Sequence, residues 1–157
     1  MRMRKTLIIL MFVSGLVARQ SIVYFYVIPF DNLKDDPTIE WIASGLSDMV
    51  SNRFKSEPGL LVQNKKDLEV IMNDRSLMLK QPIASRNLLL LGKYYRQLEK
   101  INVSLQLIDL ATWDQIETKD ISAEYNDITK MKKEIGDNIQ EMISPYLPKG
   151  KNRVATI

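Results

Sequence analysis

The sequence predicts an α/β (α+β) domain, a mixed sheet of about five strands in the order β-α-β-α-β-β-β-α with helices packed on the sheet. Three observations predict it. First, Ile101, Val103, Leu105 and Leu107 are apolar and alternate with Asn102, Ser104 and Gln106. That period of two marks a strand with one buried face, and with the apolar run Leu88 to Leu91 it makes a hairpin of Leu88 to Asp109. Second, Ile39, Ile42, Ala43, Leu46, Met49, Val50 and Phe54 recur at helical spacing, as do Ile128, Met131, Ile135, Ile139, Met142 and Ile143. Each set is the apolar stripe of a helix that must lie on something. Third, Ile22 to Phe30 is aromatic and β-branched on both faces, which suits a central strand.

In chain order, Met1 to Lys5 is basic and Thr6 to Ala18 is apolar with small residues near its end. This is the pattern of a secretory signal peptide over residues 1–18, with cleavage after Ala18 or earlier at Gly15. The apolar run is shorter than the ~20 residues that span a bilayer. A single domain is expected over residues 19–148. Pro29 ends the first strand, and Asp31 to Pro37 is a polar, turn-rich loop. Asp36 can cap the following helix with Pro37 at its first position, and that helix runs from about Pro37 to Lys55. Trp41 extends its apolar side. Gly45 within it costs on the order of 1 kcal/mol relative to alanine, which close packing against the sheet would justify.

Glu57-Pro58-Gly59 stops the helix. Leu60 to Gln63 reads as a short strand and Lys66 to Asn73 as a short helix. Ser76 to Arg86, interrupted by Pro82, reads as a loop with at most one helical turn. Gly92 interrupts the first arm of the hairpin, marking a bulge or a close approach by another element. The turn falls within Gln97-Leu98-Glu99-Lys100, which has no Gly, Asn or Asp. If Gln97 pairs with Lys100, Gly92 faces Leu105, Leu90 faces Leu107, Lys93 faces Ser104 and Tyr95 faces Asn102. Ala111 to Asp114 is a second turn. Gln115 to Tyr125 is a third sequential strand, irregular enough to hold a bulge. Asn126 or Asp127 caps the last helix, and Pro145 and Pro148 end it. The basic tail 149–157 is expected to lack regular structure.

Read together, these stretches resemble the TolB amino-terminal-domain-like superfamily, which includes the flagellar protein FlgO and the curli secretion component CsgG. VIPFDNLKDDP (27–37) is similar to the group's first strand end and loop. IEWIASGLSDMV (39–50) is similar to its first helix, LLLLGKYYRQ (88–97) with INVSLQLIDLAT (101–112) to its hairpin, and DITKMKKEIGDNI (127–139) to its last helix. The resemblance covers Ile22 to Ile143. Trp113 stands where the group usually has a turn glycine, and the helix that usually precedes the hairpin is shortened or missing at Ser76 to Arg86. The resemblance implies a non-catalytic module of the bacterial envelope, periplasmic or secreted, with protein partners or copies of itself.

Composition narrows the chemistry. The 157 residues include no cysteine and no histidine, which excludes thiolate nucleophiles, histidine bases, and zinc sites built from either. It also excludes lipidation at a leader cysteine, so no lipoprotein is expected. The net charge of +3 comes from Arg2, Arg4 and Lys5; the rest of the chain balances its 19 acidic residues. That gives no electrostatic footprint for nucleic acid, and a membrane is expected to be met only through the leader or a partner. No enzyme, metal or cofactor is expected. Asp31, Asp35 and Asp36 do not follow the calcium-loop spacing, and loop solvation with helix capping accounts for them.

Two candidate sites remain. Asp31 and Asn32, at a strand end, could touch a small ligand, which would make the domain a sensor. Lys93, Tyr95, Asn102, Ser104 and Gln106 share the polar side of the hairpin. They could form a partner face if no helix covers them.

Overall fold

A computed structural model of the protein describes residues 21–148. The expected leader and basic tail lie outside the described residues. Six strands form one mixed sheet: β1 (Val23–Val27), β2 (Asp31–Asn32), β3 (Leu60–Gln63), β4 (Arg86–Gln97), β5 (Lys100–Asp109) and β6 (Gln115–Glu124). The order is β3-β1-β4-β5-β6, with β1 parallel to both neighbours and β4, β5 and β6 antiparallel. The sixth strand, β2, was expected as loop; its two residues pair in parallel with Lys93 and Tyr94 beyond the end of β1.

The helices are α1 (Trp41–Phe54), α2 (Lys65–Asn73), the single turn α3 (Ser76–Leu79) and α4 (Ile128–Ile143). Asp36 caps as expected, its carboxylate accepting from the Thr38 amide at 2.9 Å. The segment it starts is a 3-10 turn, Pro37–Ile39, and the α-helix begins only at Trp41. Asp127 caps α4, accepting from the Lys130 amide at 2.9 Å. Asn64 and Asp67 cap α2 reciprocally.

Two helices cover one sheet face. Ile42, Leu46, Val50 and Phe54 of α1 and Met131, Ile135, Ile139 and Ile143 of α4 bury against Val23, Phe25, Leu88, Leu90, Val103 and Leu105. On the reverse face Leu68 and Ile71 of α2 and Met78 of α3 pack on Tyr24, Tyr26, Leu89 and Leu110. The run Leu88–Leu91 is apolar throughout because both faces are covered there.

The hairpin register is the expected one: Gln97 opposes Lys100, Gly92 opposes Leu105 and Tyr95 opposes Asn102. Leu98 supplies the turn with φ +56°, a left-handed conformation that glycine or asparagine usually takes. Trp113 does the same in the next turn at φ +64°. The Arg75 guanidinium lies 5.7 Å from its ring centroid. The bulge expected in β6 sits at Ile116, where the pairing slips between Leu107 and Ile108.

Gly92 marks a close approach, not a bulge: a Cβ there would overlap the Phe30 ring. Gly45 departs from expectation. A Cβ there would meet only the Trp41 ring at 3.9 Å, an ordinary contact, and Trp41 itself is half exposed. Close packing does not justify Gly45, so Gly45→Ala is expected to stabilise the domain by about 0.5–1 kcal/mol through helix propensity. A urea midpoint raised accordingly, at constant slope, would confirm it; a lowered midpoint would mean that this glycine serves the packing after all.

Candidate functional site: an open polar face of the sheet

The reverse face of the sheet is only partly covered. With nine residues in α2 and four in α3, the helices on that side reach β1, the start of β4 and the end of β5. Beyond them the strands run on bare. Because paired residues share a face, the register lays out three rungs across β4, β5 and β6. They are Leu91–Gln106–Thr118, Lys93–Ser104–Asp120 and Tyr95–Asn102–Ser122.

All five residues of the sequence-predicted partner face therefore lie together. Lys93, Tyr95, Asn102, Ser104 and Gln106 are each half-buried, while Thr118, Asp120 and Ser122 on the edge strand are exposed. Leu33, from the loop after β2, overhangs one side. The result is a groove of about 390 Å³ lined by Leu33, Lys93, Tyr95, Asn102, Ser104 and Asp120. Lys34 places its ammonium 4.7 Å from the Tyr95 ring centroid, so a cation already sits against this aromatic.

The other candidate pair is split. Within β2 successive side chains point to opposite faces. Asp31 is in register with Lys93 and extends the middle rung of the open face. Asn32 is in register with Tyr94 on the helix side and is 8% exposed. Its amide nitrogen donates to the Asp36 carbonyl and to Glu40 Oε2, both at 2.9 Å, tying the loop to the entrance of α1. Its Oδ1 is buried without a hydrogen-bond partner. Asn32 therefore braces the fold, and Asp31 and Asn32 do not converge on one ligand. Asp36 is held below the usual carboxylate range by the Thr38 hydroxyl and amide, which donate to it.

A second polar cluster lies under α3. Tyr26 donates to Asn87 Oδ1 at 3.2 Å, and Asn87 Nδ2 donates to Gln81 Oε1 at 2.7 Å. Burial, with the nearby charge of Asp67 adding to it, pushes the Tyr26 phenol up to about 12. A protonated, hydrogen-bonded tyrosine in a closed network fixes packing. Beside it lies a recess of about 200 Å³ between Tyr24, Gln63, Asp67 and Gln81. Among the described residues no group of three or more acidic, His or Cys side chains is disposed to hold a metal ion.

Sequence reasoning missed Thr118, Asp120, Ser122 and Leu33. The first three alternate just as Asn102, Ser104 and Gln106 do, but the bulge at Ile116 breaks the pattern at the start of β6. Counting back from Ala123 and Ile121 would have recovered them.

No protein-family model matches the chain, and no curated protein matches it. Solved structures do. TolB from Acinetobacter baumannii superposes with a TM-score of 0.53 at 14% identity, over 80% of this chain and 29% of that one. The PelC dodecamer from Paraburkholderia phytofirmans gives a TM-score of 0.44 at 14% identity, over 85% of this chain and 92% of that one. The LpoB C-terminal domain from Salmonella enterica gives 0.44 at 7% identity, over 67% and 84%. The chain thus spans well under half the length of TolB, and the likeness is one of fold.

Proposed function

We propose that the protein is a non-catalytic periplasmic or cell-envelope interaction module, of the flagellar, secretion or outer-membrane assembly type, and a member of the TolB amino-terminal-domain-like group. It binds a protein partner through the open face of β4, β5 and β6. One observation carries this reading: three strands run past their covering helices and leave a concave, mixed polar and aromatic face in the domain. Tyrosine supplies large contact area at small entropic cost, and Tyr95 stands at one end of the groove with hydroxyls and amides around it. The signal-peptide pattern and the resemblance support an envelope location. The absence of histidine and cysteine from the sequence, which removes thiolate nucleophiles and histidine bases, supports a role without catalysis.

Tyr95→Ala and Ser104→Arg test the reading. Both positions are half-buried on the open face, so each is expected to change stability by no more than about 1 kcal/mol. Each is also expected to weaken capture of the envelope partner at least tenfold in a crosslinking pull-down. Undiminished capture by both variants, with circular dichroism showing them folded, would remove this face from consideration.

The alternative, a sensor binding a small molecule at the strand ends near Asp31 and Asn32, keeps one observation in its favour: Asp31 is in register with Lys93 of the groove, whose volume of about 390 Å³ falls within the ~300–1,000 Å³ common for small-ligand sites. A metabolite bound there would raise the melting temperature by mass action. A hit in a thermal screen that Ser104→Arg abolishes would replace the partner reading.

A further inference from the structure

The sheet has two edge strands, β3 with 4 residues and β6 with 10. Among the described residues β6 pairs with β5 alone, and α4 packs on its helix-side face, not along its edge. The hydrogen bonds decide which backbone groups of β6 look outward. The Tyr125 amide donates to the Glu99 carbonyl at 2.7 Å, in line with the pairing of Glu124 with Lys100. Hydrogen-bonded and non-hydrogen-bonded pairs alternate along an antiparallel ladder, so Tyr125, Ala123, Ile121 and Lys119 turn their amides and carbonyls to β5. The amides and carbonyls of Thr118, Asp120, Ser122 and Glu124 point past the edge.

From Thr118 to Glu124 this edge has no proline, and the bulge lies before it at Ile116. The lysine within it is tied down: Lys119 Nζ lies 3.3 Å from Glu117 and 3.2 Å from Glu141 on α4. Such an edge is a template for one more strand. Its sequence also fits itself. Two antiparallel copies related by a two-fold axis through Ile121 set Thr118 against Glu124 and Asp120 against Ser122. Every outward amide and carbonyl from 118 to 124 then has a partner, and each carboxylate faces a hydroxyl that can donate to it. Glu124 keeps Lys100 as its counter-ion at 3.9 Å. Other centres fit less well. An axis at Asp120 opposes two aspartates, one at Lys119 opposes two lysines, and one at Ser122 opposes Asp120 to Glu124. An axis at Thr118 runs the pairing into the bulge at Ile116.

We propose that two copies of the chain join edge to edge through β6 in this register, as one continuous sheet. The interface is isologous, the same stretch on both copies. Its axis is perpendicular to the sheet, so α4 of both copies lies on one side and both open faces lie on the other. The pair therefore presents two grooves to one surface, and a partner with two matching sites binds it with greater avidity than one copy alone. The stretch 118–124 makes an interface smaller than that of a permanent dimer, so association in the micromolar range is expected. The inference does not depend on the partner reading: purified copies of the chain suffice to test it.

Sedimentation of the purified full chain across the micromolar range is the test, and a reversible monomer–dimer equilibrium is the expected result. Ser122→Asp sets a carboxylate opposite Asp120 of the second copy on both sides of the axis. It is expected to weaken the dimer about tenfold or more. Exchanging the two residues, Asp120→Ser together with Ser122→Asp, again places a hydroxyl opposite each carboxylate. The exchange is expected to bring the affinity back to within about threefold of the original. Both positions are exposed, so both variants are expected to fold normally. A chain that stays monomeric throughout would overturn the proposal. So would a dimer that Ser122→Asp leaves intact, or one that the exchange does not restore.

Discussion

Leu46→Asp is expected to cost about 5 kcal/mol and to leave little folded protein. Leu46 is 2% exposed and lies in the cluster that joins α1 to the sheet. Its neighbours there are apolar, so an aspartate would be buried without a partner, or would leave the core and pull α1 off the sheet. Small domains have only about 5–15 kcal/mol of stability in total. The helix depends on this packing all the more because its own propensity is reduced by Gly45. Denaturant unfolding followed by circular dichroism measures the effect. Cooperative unfolding at an unchanged midpoint would show that α1 presents a different face.

Gly92→Val is expected to cost about 3 kcal/mol through overpacking. Gly92 lies opposite Leu105 on the helix-covered face, and the Phe30 ring occupies the space where a side chain would stand. Phe30 is 2% exposed and anchors the segment that turns from β1 into β2. A β-branched residue at position 92 would push that ring outward and with it the loop bearing Leu33 and Lys34 at the rim of the open groove. A coupled test separates this from generic strain: in a Gly92→Ala background, Phe30→Leu should restore part of the lost stability, although Phe30→Leu alone destabilises. Simple additivity of the two changes would mean that the ring does not set the requirement for glycine.

Much of this was legible in the sequence because it rests on periodicity. The alternation from Ile101 to Leu107 gave both the buried face and the polar one, and Gln97 paired with Lys100 as the register argument required. The stripes of α1 and α4 are almost fully buried where the spacing placed them. Three features were hidden for stated physical reasons. Both turns were placed, but Leu98 and Trp113 adopt left-handed backbone without being glycine or asparagine, so residue type did not mark which residue carries the positive φ. The pairing of Asp31 and Asn32 with Lys93 and Tyr94 is a two-residue, long-range contact that no local pattern encodes. That pairing is also why the sequence grouped Asp31 with Asn32, whereas the strand sends them to opposite faces. The open face itself followed from the sequence only as a condition, since whether a helix covers it depends on the lengths of α2 and α3 and on where they lie.

The central claim, that this bare face of β4, β5 and β6 is where the protein meets its envelope partner, is tested most directly by site-specific photo-crosslinking in living cells. A photoreactive amino acid is placed at Ser104 in the groove and, as a control, at Lys132 on the exposed side of α4. The account predicts a discrete adduct with one envelope protein from position 104, none from position 132, and loss of the adduct when Tyr95→Ala is added. No adduct from position 104, or the same adducts from both positions, would contradict it.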